Sequence, residues 1–341
     1  NVSCSGANDG VINITAPTGG AGTYEYSITG GAGWQGAGLF AGLAPATYNV
    51  QIRDAGNITC VMTLNSSVTI IEPQLLSATV TTSNITCFGA ADGIINIIGA
   101  TGGYGTYEYS INGGTGWQAS GSFIGLAPAT YNVQIRDKAH IGCVVILNPA
   151  LVITQPAVIT ATIASTNITC FAANNGTITI TNPLGGYGTY AYSINGGATW
   201  QPSGTFTSLA PATYVVKIRD AAHIACEVTL NAALLITQPP VLSATVNSTN
   251  VTCNSAADGT ITMTNPLGGY GTYEYSVNGG TSWQVSPVFS SLIPGFYNVQ
   301  IRDAANTACV VILNGSLQIT QPATLLANVA KTNVTCNGAN D

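Results

Sequence analysis

Leu126-Ala-Pro-Ala-Thr-Tyr-Asn-Val-Gln-Ile135 decides the fold. Its second half alternates, with Tyr131, Val133 and Ile135 on one face and Asn132 and Gln134 on the other. That period of two belongs to a half-buried strand. Its first half has the form of a tyrosine corner, in which a Tyr near the start of strand F of a Greek-key sandwich hydrogen-bonds to backbone just upstream. The stretch recurs at Leu43/Tyr48, Leu209/Tyr214 and Leu292/Tyr297. The expected corner residues are therefore Tyr48, Tyr131, Tyr214 and Tyr297.

Upstream, Tyr107-Glu-Tyr-Ser-Ile111 alternates in the same way, with Tyr107, Tyr109 and Ile111 facing in. Asn112-Gly113 then reads as a type I′ hairpin turn leading to Trp117-Gln118. Further upstream, Gly93-Ile-Ile-Asn-Ile-Ile98 is a β-rich run behind an Asp92-Gly93 turn signal. Downstream, Cys143 opens a last β-rich stretch that closes at Gln155-Pro156. No segment shows a capped helical pattern. Short strands with closely and regularly spaced turn signals predict an all-β, immunoglobulin-like Greek-key sandwich.

The unit repeats. Asn1-Val-Ser-Cys recurs as Asn84-Ile-Thr-Cys, Asn167-Ile-Thr-Cys, Asn250-Val-Thr-Cys and Asn333-Val-Thr-Cys, at one constant step without insertion or deletion. Trp34, Trp117, Trp200 and Trp283 keep the same step. A shorter period would point to a solenoid; this one points to a tandem array of domains.

Proline cannot continue a ladder, so Glu72-Pro73, Gln155-Pro156, Gln238-Pro239 and Gln321-Pro322 mark the expected boundaries. They predict repeats at 1–73 (lacking its first strand), 74–156, 157–239 and 240–322, then a spare first strand, Ala323–Asp341. From Leu76 to Cys87 the alternation slips by one position, which a kink near Ser83 explains if this strand switches sheets. With no starting Met, the expectation is a piece of a chain that continues in both directions. Insertion of the spare strand into another molecule is the alternative.

Composition excludes several roles. Only 6% of the 341 residues are charged and just seven are basic, too few for an electrostatic grip on nucleic acid or an anionic membrane. No apolar run approaches the roughly 20 residues of a membrane-spanning helix.

Cys-x-Gly-Ala-x-Asp-Gly at Cys4–Gly10 and Cys87–Gly93 precedes Gly-Gly-x-Gly-x-Tyr-x-Tyr-Ser, Leu-Ala-Pro-Ala-Thr-Tyr and Ile-Arg-Asp-Ala…Cys, in that order. This order resembles the SprB-type repeat of large Bacteroidota surface adhesins, over every repeat. The resemblance implies export, typically by type IX secretion, an extracellular or cell-surface location, and a role in adhesion or gliding. It carries over no catalytic residue and no cofactor.

Each repeat holds two cysteines at a fixed spacing, and Cys336 is left over. In an oxidising compartment disulfides are expected. The preferred pairing lies within repeats: Cys4–Cys60, Cys87–Cys143, Cys170–Cys226 and Cys253–Cys309. Staples between neighbours, such as Cys4–Cys143, and reduced core thiols stay open, because turns at opposite ends of a sandwich would separate the two cysteines of one domain. Paired Cys-x-x-Cys spacing is absent, so no zinc site is expected.

The Asp-Gly turns at Asp9, Asp92 and Asp258 read as solvated turns, since calcium wants six or more oxygens. The equivalent residue of the third repeat is Asn175. His140 and His223 have no recurring nucleophile beside them and read as exposed loop residues. Tyr107, Tyr109, Trp117 and Tyr131 read as core. The sequons at Asn84, Asn167, Asn250 and Asn333 are possible glycosylation sites.

The expected function is a structural and adhesive stalk or filament segment of a large secreted surface protein, not an enzyme. Strands of about ten residues give domains of ~35–40 Å, and four reach ~150 Å. Its expected partners are neighbouring repeats of one long chain, with surface glycans or other cells as further candidates. The alternative is an array of carbohydrate- or protein-binding modules using hairpin and F–G loops.

Overall fold

The computed structural model describes residues 1–338 and 340, and all regular structure among them is strand. The first repeat supplies β1 (Gly10–Asn13), β2 (Tyr24–Ser27), β3 (Leu39–Leu43), β4 (Ala46–Asp54) and β5 (Asn57–Ile70). The second adds β6 (Ser77–Ser83), β7 (Gly93–Thr101), β8 (Tyr107–Ser110), β9 (Ser122–Leu126), β10 (Ala129–Asp137) and β11 (Val144–Ile153). In the third are β12 (Thr160–Thr166), β13 (Gly176–Leu184), β14 (Tyr190–Ser193), β15 (Thr205–Leu209), β16 (Ala212–Asp220) and β17 (Glu227–Ile236). The fourth holds β18 (Ser243–Thr249), β19 (Gly259–Leu267), β20 (Tyr273–Ser276), β21 (Val288–Leu292), β22 (Gly295–Asp303) and β23 (Val310–Ile319).

The second repeat shows the pattern. One antiparallel sheet has the order β6-β7-β9 and the other β11-β10-β8, so the chain crosses between sheets before and after β8. This is the Greek-key route of an immunoglobulin-like sandwich. Ile95 and Ile97 from one sheet meet Tyr109, Val133, Ile135 and Ile153 from the other, all buried. The third and fourth repeats have the same two three-stranded sheets; in the first, one sheet is the pair β1-β3.

Two local readings resolve differently from expectation. Gly93 does not take a positive φ. It is glycine because a Cβ there would stand 2.8 Å from the Leu126 carbonyl oxygen and 2.9 Å from Ile153 Cγ2. The hairpin after β8 is not a two-residue turn at Asn112-Gly113. Its consecutive positive φ angles fall on Gly113 and Gly114, the Gly113 amide donates to the Asn132 carbonyl, and the strands rejoin at Tyr109↔Gln118. The excursion folds over the outer face of the β8-β10-β11 sheet, where Ser110 is wholly buried and Gln134 8% exposed.

The slip near Ser83 is a change of sheet. Pairing with β7 ends at Ser83↔Ile94, and the Ile85 amide then donates to the Thr154 carbonyl at 3.0 Å, just past the end of β11. Each Glu/Gln-Pro pair follows the last strand of its repeat. Ala323–Asp341, expected as a spare first strand, forms no strand over its described residues, and Ala339 and Asp341 lie outside them. In the second, third and fourth repeats this strand exists by pairing with the next strand of its own domain, β6 with β7, β12 with β13 and β18 with β19.

Two compact units divide the chain: Asn1–Val158 with Gly185–Tyr187, and Ile159–Leu184 with the chain from Gly188 onward.

Candidate functional site at the junction between repeats

Polar side chains with defined partners join one repeat to the next inside each unit. It starts from a carboxylate. Asp137, the last residue of β10, is wholly buried. Its Oδ2 accepts from the Tyr104 amide, and its Oδ1 from the amides of Ala139 at 2.8 Å and His140 at 3.1 Å. A buried carboxylate is tolerated when donors surround it. This one ties the Gly-rich loop before β8 to the loop after β10. Gly103, with positive φ, lets the loop pass: a Cβ there would stand 2.5 Å from Asp137 Oδ2.

Held in this way, Tyr104 reaches into the first repeat. Its hydroxyl donates to the Val2 carbonyl at 2.8 Å, and its ring meets the His140 imidazole edge-on at 4.1 Å. Val2 is itself fully buried, with its amide donating to the Ile71 carbonyl. Just beyond it, Cys4 is disulfide-bonded to Cys143, with a Cα–Cα distance of 5.3 Å. A groove of about 180 Å³ runs beside the bridge, lined by Pro73, Leu75, Leu76 and Gly103 among others.

The second unit repeats the arrangement. Asp303 is wholly buried and accepts from the amides of Tyr270, Ala305 and Asn306. The Tyr270 hydroxyl points to the Ile168 carbonyl at 3.4 Å, and Cys170 is bonded to Cys309. A matching groove of about 210 Å³ adjoins this bridge, with Phe171 where the first has Ser5.

The SprB repeat family matches four stretches of the chain, residues 1–33, 79–116, 162–199 and 245–282. The chain carries SprB repeats. SprB repeats mark a cell-surface protein, and disulfides fit an extracellular location. The matched stretches contain Cys4, Cys87, Cys170 and Cys253, and exclude Cys60, Cys143, Cys226 and Cys309.

No curated protein sequence matches the chain. Among solved structures, it is similar to the three N-terminal domains of the bacteriophage RB49 highly immunogenic outer capsid protein, at 9% identity and a TM-score of 0.30 over 74% of this chain and 100% of that one. It is also similar to the S-layer protein rSbsC(31-844), at 13% identity and a TM-score of 0.21 over 94% of this chain and 54% of that one. The N-terminal four Ig domains of Dscam1 isoform 9.44 give 11% identity and a TM-score of 0.21 over 92% and 100%. None of these superpositions is close enough to carry a functional reading.

In the SprB repeats the cysteines do not pair as preferred from sequence. The bridges Cys4–Cys143 and Cys170–Cys309 replace Cys4–Cys60, Cys87–Cys143, Cys170–Cys226 and Cys253–Cys309. The first cysteine of a repeat follows the sheet switch and the second precedes the last strand. These turns lie at opposite ends of one sandwich and adjoin only across a junction. Cys87 and Cys226 are also disulfide-bonded, while Cys60, Cys253 and Cys336 are free and exposed.

The first repeat departs at these positions. Ala21 stands where the others have Tyr104, Tyr187 and Tyr270. Its segment from Asp54 to Cys60 closes a tight hairpin, with β5 already running through Cys60. In the second repeat the same length folds into a turn, with Asp137 N–H donating to the Cys143 carbonyl and Cys143 N–H to that of His140.

The corner tyrosines donate to a carbonyl one turn upstream: Tyr48 to Ala44, Tyr131 to Ala127, Tyr214 to Ala210 and Tyr297 to Ile293, at 2.8–2.9 Å. Each is half-buried. The sequon residues Asn84, Asn167 and Asn250 use their Oδ1 to accept from the amides of Thr154, Thr237 and Thr320, whereas Asn333 is exposed outside any strand. The sequon threonines serve the neighbouring turn: Thr86 donates amide and hydroxyl to Asp92, and Thr252 does so to Asp258. Those bonds, the side-chain one foremost, hold both carboxyls below the usual carboxylate range. In the third repeat Asn175 makes the matching contacts with Thr169.

Trp117 is not core. It lies on the outer face of the β8-β10-β11 sheet with the Arg136 guanidinium 4.4 Å above its ring, and Arg136 pairs with Glu108 at 2.6 Å. Every repeat keeps the Trp–Arg stack, but Ala191 replaces the glutamate in the third and leaves Arg219 Nε buried without a hydrogen-bond partner. His140 and His223 are half-buried rather than exposed, packed against Tyr104 and near Asp220 respectively. Among the described residues no group of three or more His, Cys, Asp or Glu is placed to hold a metal, and no helix is long and apolar enough to cross a membrane.

Sequence reasoning missed Tyr104 and Asp137 as a pair. The available signal was the Gly-Gly-Tyr-Gly and Arg-Asp motifs, whose Tyr and Asp keep one constant spacing at Tyr104/Asp137, Tyr187/Asp220 and Tyr270/Asp303.

Proposed function

We propose that the chain is a structural and adhesive segment of a large secreted surface protein, a stalk or filament that bears load between the cell and what it holds. The observation that carries this reading is the covalent bond between consecutive repeats, Cys4 to Cys143 and Cys170 to Cys309. A bond placed at a junction adds little to either core. It stops two repeats from parting, which is a property of a member under tension. The unvaried step between repeats reproduces one junction geometry within each unit. The reading assigns no catalysis to these residues. Type IX export, gliding, and surface glycans or other cells as partners follow from the family and belong to the proposal.

The test is cellular. Antibody against the repeats should label intact, unpermeabilised cells, and deleting the coding region should reduce attachment to surfaces or gliding. Label confined to the cytoplasm, or unchanged attachment and gliding in the deletion strain, would count against the proposal.

A further inference from the structure

We infer that the bridges between repeats form a covalent bypass, so that tension along the chain never reaches most of the folded sheets. This rests on the load-bearing reading above and adds the route by which load travels.

The argument is topological. The loop closed by Cys4–Cys143 contains β1 to β10, and the loop closed by Cys170–Cys309 contains β13 to β22. A pull entering at Cys4 crosses to Cys143 through the sulfur–sulfur bond. It then runs along β11, through Gln155-Pro156 and β12 to Cys170, and crosses to Cys309. Only the stretch from Cys143 to Cys170 lies in series between the bridges. Any further bridge could not lengthen this path.

Magnitudes decide how much the bypass matters. Fully drawn out, that stretch spans about 95 Å, whereas the chain from Cys4 to Cys309 without bridges would span about 1,050 Å. The series segment is also short of slack, because β11 contributes 10 residues and β12 contributes 7 that are already extended. Unfolding either looped set of strands therefore releases no length. A folded domain is held by far less free energy than a covalent bond, so an unbridged array would yield domain by domain. The bridged array reaches its limit almost at once.

The experiment is single-molecule stretching of the whole chain from its two ends, with Cys60, Cys253 and Cys336 first alkylated. Outside the bridges only residues 1–3 and 310–341 add length. The oxidised chain should stop at about 210 Å end to end, and the same molecules after reductant should reach about 1,200 Å, roughly a five- to sixfold difference. Cys143→Ser should release length from the first loop alone, about 400–500 Å. An oxidised chain that lengthens in repeat-sized steps to its full extent would overturn the bypass. Should the Cys143→Ser variant not fold, the oxidised and reduced arms on the unaltered chain still decide. The result is independent of the cell assay, since it asks how the chain bears load and not where it is displayed.

Discussion

The Tyr104 hydroxyl donates to the carbonyl of Val2, a residue far earlier in the chain and in the preceding repeat. The bond leaves its own domain and sits beside the Cys4–Cys143 bridge. Tyr104→Phe should lower the stability of the oxidised chain by about 0.5–1 kcal/mol, the net worth of such a bond at a partly exposed site. Urea unfolding checks the size. Faster amide exchange at Val2 and Ser3, with no change inside β7, would place the effect at the junction.

Asp137 should matter more. Replacing it by Ala leaves the amides of Tyr104, Ala139 and His140 without their acceptor, at a cost of about 2–3 kcal/mol. Asp137→Asn keeps one acceptor oxygen and should recover part of that loss. Comparing the two denaturation midpoints separates lost hydrogen bonding from lost volume.

The thiol map is open to direct reading. Alkylation without reductant should label Cys60, Cys253 and Cys336 and spare Cys4, Cys143, Cys170 and Cys309. A non-reducing digest should contain peptides joining Cys4 to Cys143 and Cys170 to Cys309. A Cys4–Cys60 peptide would restore pairing within repeats.

Acid should loosen the repeats unequally. Asp92 and Asp258 have folded pKa values below their unfolded ones, so their contribution is full above the unfolded value near 4 and is lost as pH falls through the folded values. Asn175 does not titrate. At about pH 3 the Thr86 and Thr252 amides should exchange faster relative to neutral pH once intrinsic rates are corrected, while Thr169 keeps its protection. Equal loss at all three would refute the assignment.

Arg219 offers a gain. Ala191→Glu restores the glutamate that pairs with Arg136 in the second repeat, and should stabilise the third by about 0.5 kcal/mol, more at low salt than at high. A thermal melt at two salt concentrations checks both statements.

What is legible in the sequence follows from periodicity. Tyr131, Val133 and Ile135 alternate because one sheet face is buried, so the pattern gives strand, face and, with Leu126, the corner. The slip between Val80 and Ile85 shows the sheet switch, because a strand that changes sheets must change phase. Periodicity is silent about ends. Cys87 and Cys143 can each be placed on an inward face, but parity does not say at which pole of the sandwich a turn lies, and the poles decide the bridges. Trp117 misled for a related reason: a Gly-rich excursion carries no alternation, so nothing in it tells the inner face of a sheet from the outer. Asp92-Gly93 looked like a turn because glycine serves both positive φ and close approach, and the second reason needs the position of Ile153, in the last strand of the domain.

Because Cys143 is joined to Cys4, the folding unit and the covalent unit of this protein are out of phase. A second repeat excised at Gln74 and Pro156 keeps its whole core but leaves Cys4 behind, so it carries thiols near both poles without their native partners. To a polymer chemist such a fragment is a bifunctional monomer: air oxidation would couple it head to tail, and the product would be a chain whose length is set by reaction time and not by a gene.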